Sequence, residues 1–195
     1  MTNMRTAELN RKTKETDISL RLCLDGGEIN IKTGIGFFDH MLTALAKHAG
    51  FGMDLIVKGD LEVDNHHTIE DTGIVLGSAL MRAACDKAGM ARYGTAFVPM
   101  DECLAFASLD FCGRPYLAFN ANFPEHRAGE FDTCMTAEFM RAVAVNAGLT
   151  LHIKCEYGAN SHHMIEAMFK ALARALKQAV AIEGDDVLST KGTLD

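Results

Sequence analysis

A chain of 195 residues, 48% apolar and 23% charged, has the size of one globular domain or two tightly fused halves, and can bury roughly 70% of the surface its unfolded chain exposes. A net charge of −7 argues against general nucleic-acid binding, which needs a basic face. It leaves small anionic substrates open, because a few local arginines can hold a phosphate.

The predicted elements come in two series. The first opens with strand-like runs "TAELNRKT", "DISLRLCLD" and "EINIK", with a turn at Asp25-Gly26-Gly27. "FFDHMLTALAKHAG" (37–50) follows, with Met41, Leu42, Leu45 and Ala49 on one helical stripe and a glycine stop. Then come an apolar alternating strand, "FGMDLIVKGDLEV" (51–63), and a long helix, "HHTIEDTGIVLGSALMRAACDKAG" (66–89). The second series repeats this order. "GTAFVP", "ECLAFASLD" and "RPYLAFN" are its strands, with a turn at Cys112-Gly113. "EFDTCMTAEFMRAVAVNAG" (130–148) carries Met135, Phe139, Met140 and Val143 as its stripe. "LTLHIKCEYG" (149–158) is its strand and "HHMIEAMFKALARALKQAVA" (162–181) its long helix. Asn65 and Ser161 stand where N-caps are favoured.

The order βββαβα, twice, predicts an α+β fold of tandem duplicated halves, with a helical layer meeting between the sheets. The halves are expected at 1–92 and 93–184, with a C-terminal tail at 185–195, in one compact domain. No apolar run reaches the ~18 residues of a membrane span, and "MTNMRTAELNRKTKE" lacks the apolar core of a signal peptide. None of the six cysteines forms a CxxC pair. This predicts a cytoplasmic protein whose thiols are reduced and mostly buried, against a zinc–thiolate site as the competing reading.

The shared HHxIE motif carries the chemistry. Positions i and i+4 share a helix face, so His66 projects with Glu70 and His162 with Glu166, while His67 and His163 point about 100° away. Each motif offers a histidine–carboxylate pair in one direction and a lone histidine in another, which suits two metal ions. Mixed imidazole and carboxylate ligands without a nearby thiolate favour Mn(II) or another octahedral divalent ion over structural zinc. His40 opens the first amphipathic helix. His152 lies mid-strand in an apolar run, where a bare buried imidazole costs free energy unless bonded.

"GIGFFDHML", "DNHHTIED", "LDFCGRPYL", "NSHHMIEAMFKALARAL" and "STKGTL", in this order, resemble the imidazoleglycerol-phosphate dehydratase family of histidine biosynthesis, in its monofunctional form. The match runs from "KETD" to the end of the chain. The resemblance implies two Mn(II) ions per active site, a helical layer between two four-stranded sheets, and a homo-oligomer of twenty-four subunits with metal sites between subunits. It implies one metal held by His66, Glu70, His152 and His163, and another by His40, His67, His162 and Glu166.

The implied reaction is dehydration of imidazole glycerol phosphate to imidazole acetol phosphate. The proton to be lost has no neighbouring carbonyl, so no ordinary enolate can form. A metal-bridged imidazolate supplies another electron sink, expels the hydroxyl to give a diazafulvene-like intermediate, and leads through an enol to the ketone. The family positions make Glu15 the base, with Glu166, His67 and His163 also in the catalytic set. They assign substrate contacts to Glu15, His40, His48, Arg92, Arg114, His162, Lys170, Ser189, Thr190 and Lys191. Leu188 and Thr190 stand where the family pattern leads one to expect Pro and a second Ser, which bears on the tail's path. A dinuclear metallohydrolase and a metal-organised storage assembly are the rival readings. Phosphate release would mark the first; metal-dependent assembly without turnover would mark the second.

Overall fold

The computed structural model describes residues 4–194. The first half holds β1 (Thr6–Lys12), β2 (Thr16–Cys23), β3 (Ile29–Lys32), α1 (Gly36–Ala49), β4 (Gly52–Gly59) and α2 (His66–Ala83). The second holds β5 (Tyr93–Met100), β6 (Cys103–Asp110), β7 (Tyr116–Asn120), a short hairpin of β8 (Arg127–Ala128) and β9 (Phe131–Asp132), α3 (Met135–Ala147), β10 (Thr150–Tyr157) and α4 (Ser161–Ala179). The sheets have matching orders, β1-β2-β4-β3 and β5-β6-β10-β7. In both, the last-named strand runs parallel to its neighbour and the other pairs are antiparallel. The duplicated α+β architecture is therefore present at the level of strand direction as well as order.

Strand alternation decides which sheet face meets the helices. Ile18, Leu20 and Leu22 of β2 point inward, as do Cys103, Ala105, Ala107 and Leu109 of β6. α2 packs on β1 and β2, α4 on β5 and β6. Across the interior each helix pairs with one from the other half, α2 with α3 and α1 with α4. The predicted stripes on α1 and α3 are buried throughout. Phe38, Phe131, Phe139 and Phe169 form a chain of ring contacts between the halves, at centroid spacings of 5.1 to 5.8 Å. No helix among the described residues is long and apolar enough to cross a membrane.

Two glycines set where the motif helices begin. Gly59 ends β4, and a Cβ there would sit 2.0 Å from Thr68 Oγ1 in the first turn of α2. Gly158 follows β10, and a Cβ there would sit 2.6 Å from Met164 Cγ of α4 and 2.5 Å from Cys103 Sγ. Only glycine lets the strand end approach the helix start this closely.

Several local expectations are corrected. The segment from 130 does not start as helix: Phe131 and Asp132 belong to the hairpin, and α3 begins at Met135. β4 stops at Gly59, so residues 60–63 are a turn rather than strand. The cap of α4 is Asn160; Ser161 is its first helical residue, with Oγ accepting from Glu125 N at 3.0 Å. Asn65 precedes α2 but donates its amide to Glu130 O, and Asp64 Oδ1 accepts from His66 N instead. All six cysteines are free, yet only Cys103 and Cys112 are buried. His152 is exposed on the outer sheet face while its neighbours Leu151 and Ile153 face the helices, so its imidazole bears no burial cost.

Candidate active site

The N-terminus of α4 is built by Asn160, whose Oδ1 accepts from the backbone N–H groups of His162 and His163 at 2.9 and 3.3 Å. That cap starts the helix with both histidines in its first turn. His162 and Glu166 then lie one turn apart, with Nε2 and Oε2 separated by 3.3 Å. His40, from the second turn of α1, brings its Nε2 to 3.5 Å from the same carboxylate oxygen. One ligand atom from each of His40, His162 and Glu166 lies within 4.8 Å of the other two, a spacing one divalent cation could bridge. The edge of Phe37 supports the His162 ring at 4.9 Å.

Glu166 is only 6% exposed. Burial, the largest single influence, works to raise its carboxyl, but the Lys170 ammonium, 2.6 Å from Oε1, and His40 together hold it below the usual range. An ionised carboxylate beside two imidazoles suits a hard or borderline cation. His48, in the last turn of α1, has its proton affinity lowered by burial and by the positive charges of Lys170, Arg174 and Lys47.

The first-half motif is arranged alike but is less buried. His66 Nε2 lies 3.5 Å from Glu70 Oε2. The second histidine of each motif faces a carboxylate of its own half. His67 Nδ1 lies 3.0 Å from Asp60, and His163 Nδ1 lies 2.8 Å from Glu102. Those bonds favour the imidazolium, so both histidines are raised above their ordinary range. The His163 bond holds the Glu102 carboxyl down at about 2. With Nδ1 occupied as donor, Nε2 is left to face a cation or substrate. Hairpin carboxylates meet that side: Glu15 is 3.8 Å from His67 Nε2 and Asp101 is 3.7 Å from His163 Nε2.

Within one chain the eight candidate metal ligands thus fall into separate groups. His40, His162 and Glu166 converge, and His66 sits with Glu70. His67 and His163 each lie among carboxylates, and His152 stands on β10 near Tyr116 at a ring spacing of 6.1 Å. The candidate phosphate ligands divide too. Lys170 is paired with Glu166, 2.6 Å from Oε1. Arg92 forks Asp110 at 2.6 and 2.9 Å and donates to Leu188 O at 2.7 Å, so it fastens the tail. Arg114 is exposed, 3.9 Å from the same Asp110. In the tail, Ser189 Oγ accepts from Lys191 N at 3.2 Å, with Thr190 between them.

The sequence reading missed Asp60, Asp101 and Glu102. Nothing in the spacing of a turn acid announces a histidine partner; only the repeat could have found the pair Glu15 and Asp101, since both occupy the first hairpin of their half.

The sequence profile of the family described as imidazoleglycerol-phosphate dehydratase matches residues 33–176. The imidazoleglycerol-phosphate dehydratase of Acetivibrio thermocellus is 55% identical over 195 residues, 97% of this chain and 99% of that protein. That of Clostridium botulinum is 56% identical over 191 residues, 96% of this chain and 97% of the relative. The crystal structure of the Staphylococcus aureus enzyme superposes with a TM-score of 0.84 at 42% identity, covering 91% of this chain and 99% of the other. The Pyrococcus furiosus enzyme in complex with (S)-C348 gives 0.84 at 39% identity, covering 95% and 100%. A full-length match of this order, in sequence and in fold, means that the chain belongs to the imidazoleglycerol-phosphate dehydratase family and is a hydro-lyase.

Proposed function

We propose that the chain dehydrates imidazole glycerol phosphate to imidazole acetol phosphate in L-histidine biosynthesis with two Mn(II) ions per site, in the cytoplasm, as a homo-oligomer of twenty-four. The convergence of His40, His162 and Glu166 on one point carries the metal part of this reading. Their donors, two imidazoles and an ionised carboxylate, fit Mn(II). The first metal's proposed ligands are His66, Glu70, His152 and His163; the second's are His40, His67, His162 and Glu166. Because His67 lies with Asp60 and Glu15 rather than with His40, and His152 faces outward, we infer that neighbouring subunits complete both sets.

Bound cations would supply the positive charge that makes an anionic azole ring accessible near neutral pH. The chain's residues do the rest. Glu15 takes the proton from the carbon beside the departing hydroxyl, while Lys170, Arg92, Arg114 and the Ser189–Lys191 tail hold the phosphate. Lys170 also keeps Glu166 ionised.

The test is to incubate metal-stripped and Mn(II)-restored protein with imidazole glycerol phosphate and measure ketone formation, with native mass measured in parallel. Ketone only with metal is expected. Phosphate release, or no turnover in the restored particle, would sink the reading.

A further inference from the structure

Asp71 follows Glu70 in α2 and is 6% exposed. A buried carboxylate needs partners, and both of its partners come from the β1–β2 hairpin. Arg11 donates to its Oδ2 through Nη1, and Thr16 Oγ1 donates to the same oxygen. Thr16 is itself 3% exposed. The turn between the strands is fixed further by Thr13, whose Oγ1 accepts from the backbone N–H groups of Glu15 and Thr16 at 3.1 and 2.9 Å. On the other side the Glu15 carbonyl accepts from Asp60 N at 3.1 Å. Glu15 thus sits in a turn whose next residue is bolted to α2, one turn along from His67, and its own carboxylate makes no hydrogen bond to the hairpin that carries it.

The second half lacks this bolt. Ala167 stands where Asp71 does, next to the motif glutamate. Its hairpin is tied to α4 in the opposite sense: Glu102, on the hairpin, reaches the backbone N–H groups of Ala159 and Asn160 and the ring of His163. A hairpin carboxylate is used up as the tether there. In the first half the tether belongs to the helix.

We propose that Asp71 is a positioning residue for Glu15, holding the β1–β2 turn so that the Glu15 carboxylate stays free and aimed past His67 Nε2. This rests on the reading of Glu15 as the base. Misplacing a reacting group by about 1 Å can cost on the order of 100-fold in rate, so Asp71→Asn and Thr16→Val should each lower kcat by between about 10- and 100-fold. Substrate KM, Mn(II) affinity and particle mass should stay unchanged. Groups that act as one unit are non-additive. In a Glu15→Gln background, therefore, neither substitution should lower kcat further.

Three results separate the cases. If Glu15→Gln turns over normally, the assignment of the base fails and this inference with it. If Glu15→Gln is slow but Asp71→Asn and Thr16→Val keep the parent kcat, only the positioning role falls. Equal losses in both backgrounds, or a loss confined to KM or metal binding, would make the bolt a general support and overturn the proposal as well. Thr16→Val removes one hydroxyl and keeps the side-chain shape, so it carries the test should Asp71→Asn not fold.

Discussion

The two halves share strand order and strand direction, and differ in how each supports its histidines. An arginine before the first strand of each half forks an aspartate at the end of the second or just past it: Arg5 with Asp25, Arg92 with Asp110. Each also donates Nη1 to a carbonyl beyond α4, Val180 O for Arg5 and Leu188 O for Arg92. The scaffold has been kept twice. The interior has not. In α2, Gly73 and Gly77 let α3 come close; α4 has Phe169 and Ala173 at those places and faces α1. The difference teaches that a duplicated fold preserves the hydrogen bonds that close its sheets, and varies the packing and the polar tethers around its site.

The sharpest way to break the comparison is at the hairpins. Glu15→Gln should lower kcat by about 10²- to 10⁴-fold, the usual worth of a general base, with Mn(II) content unchanged. Steady-state kinetics beside metal analysis decides this, and near-normal turnover removes Glu15 from the mechanism.

The helix pairs come next. A Cβ at Gly77 would meet Val143 O at 2.7 Å and Ala147 N at 3.0 Å, both backbone atoms that cannot swing away. Gly77→Val should therefore destabilise by about 3 kcal/mol. Ala173→Gly, the matching change in α4, costs about 1 kcal/mol of helix propensity. Urea midpoints compare them, and equal losses would mean the two helix pairs are packed alike.

The histidine tethers should give a smaller effect. Glu102→Gln and Asp60→Asn each remove the carboxylate that orients one imidazole. Both should weaken Mn(II) binding by about 10- to 100-fold in titration calorimetry, with the fold intact. A loss at one and not the other would show that only one half depends on an oriented ring.

Smallest is the Arg5–Asp25 pair. The hydrogen bond from Arg5 holds the Asp25 carboxyl below its ordinary value, against the smaller effect of burial. A carboxylate depressed in the folded state contributes stability above its unfolded pKa of about 4, and that contribution is lost as pH falls through the folded value. Asp25→Asn should thus lower the melting midpoint slightly at pH 7, by an amount worth about 1 kcal/mol or less. The gap from the parent should close below about pH 4. A gap that persists in acid would mean the loss is one of packing, not charge.

Much of this was legible along the chain. Alternation in "DISLRLCLD" and the stripe Met41–Leu42–Leu45 report burial directly, because period 2 and period 3.6 each fix one face. The i,i+4 rule placed His66 with Glu70 and His162 with Glu166 as they are found. Caps and strand ends were read less well. Asn160 and Ser161 are both good caps in sequence, and the choice between them was made by Glu125, which claims the serine from a distant loop. The exposure of His152 is not legible, because a single histidine in an apolar strand does not reveal that its own face is the outer one.

The sequence by itself determined the repeat, the fold class, the family and the helix faces that carry the histidines, since all follow from local periodicity or ordered motifs. Only the tertiary structure decided that His40 meets His162 and Glu166, that Asp60 and Glu102 orient the second histidines, and that Asp71 grips the Glu15 hairpin. Those contacts join residues between 7 and 126 positions apart. No periodicity spans such gaps; they exist because each helix buries its apolar face against an element from another part of the chain, and the polar ends are carried into contact by that packing.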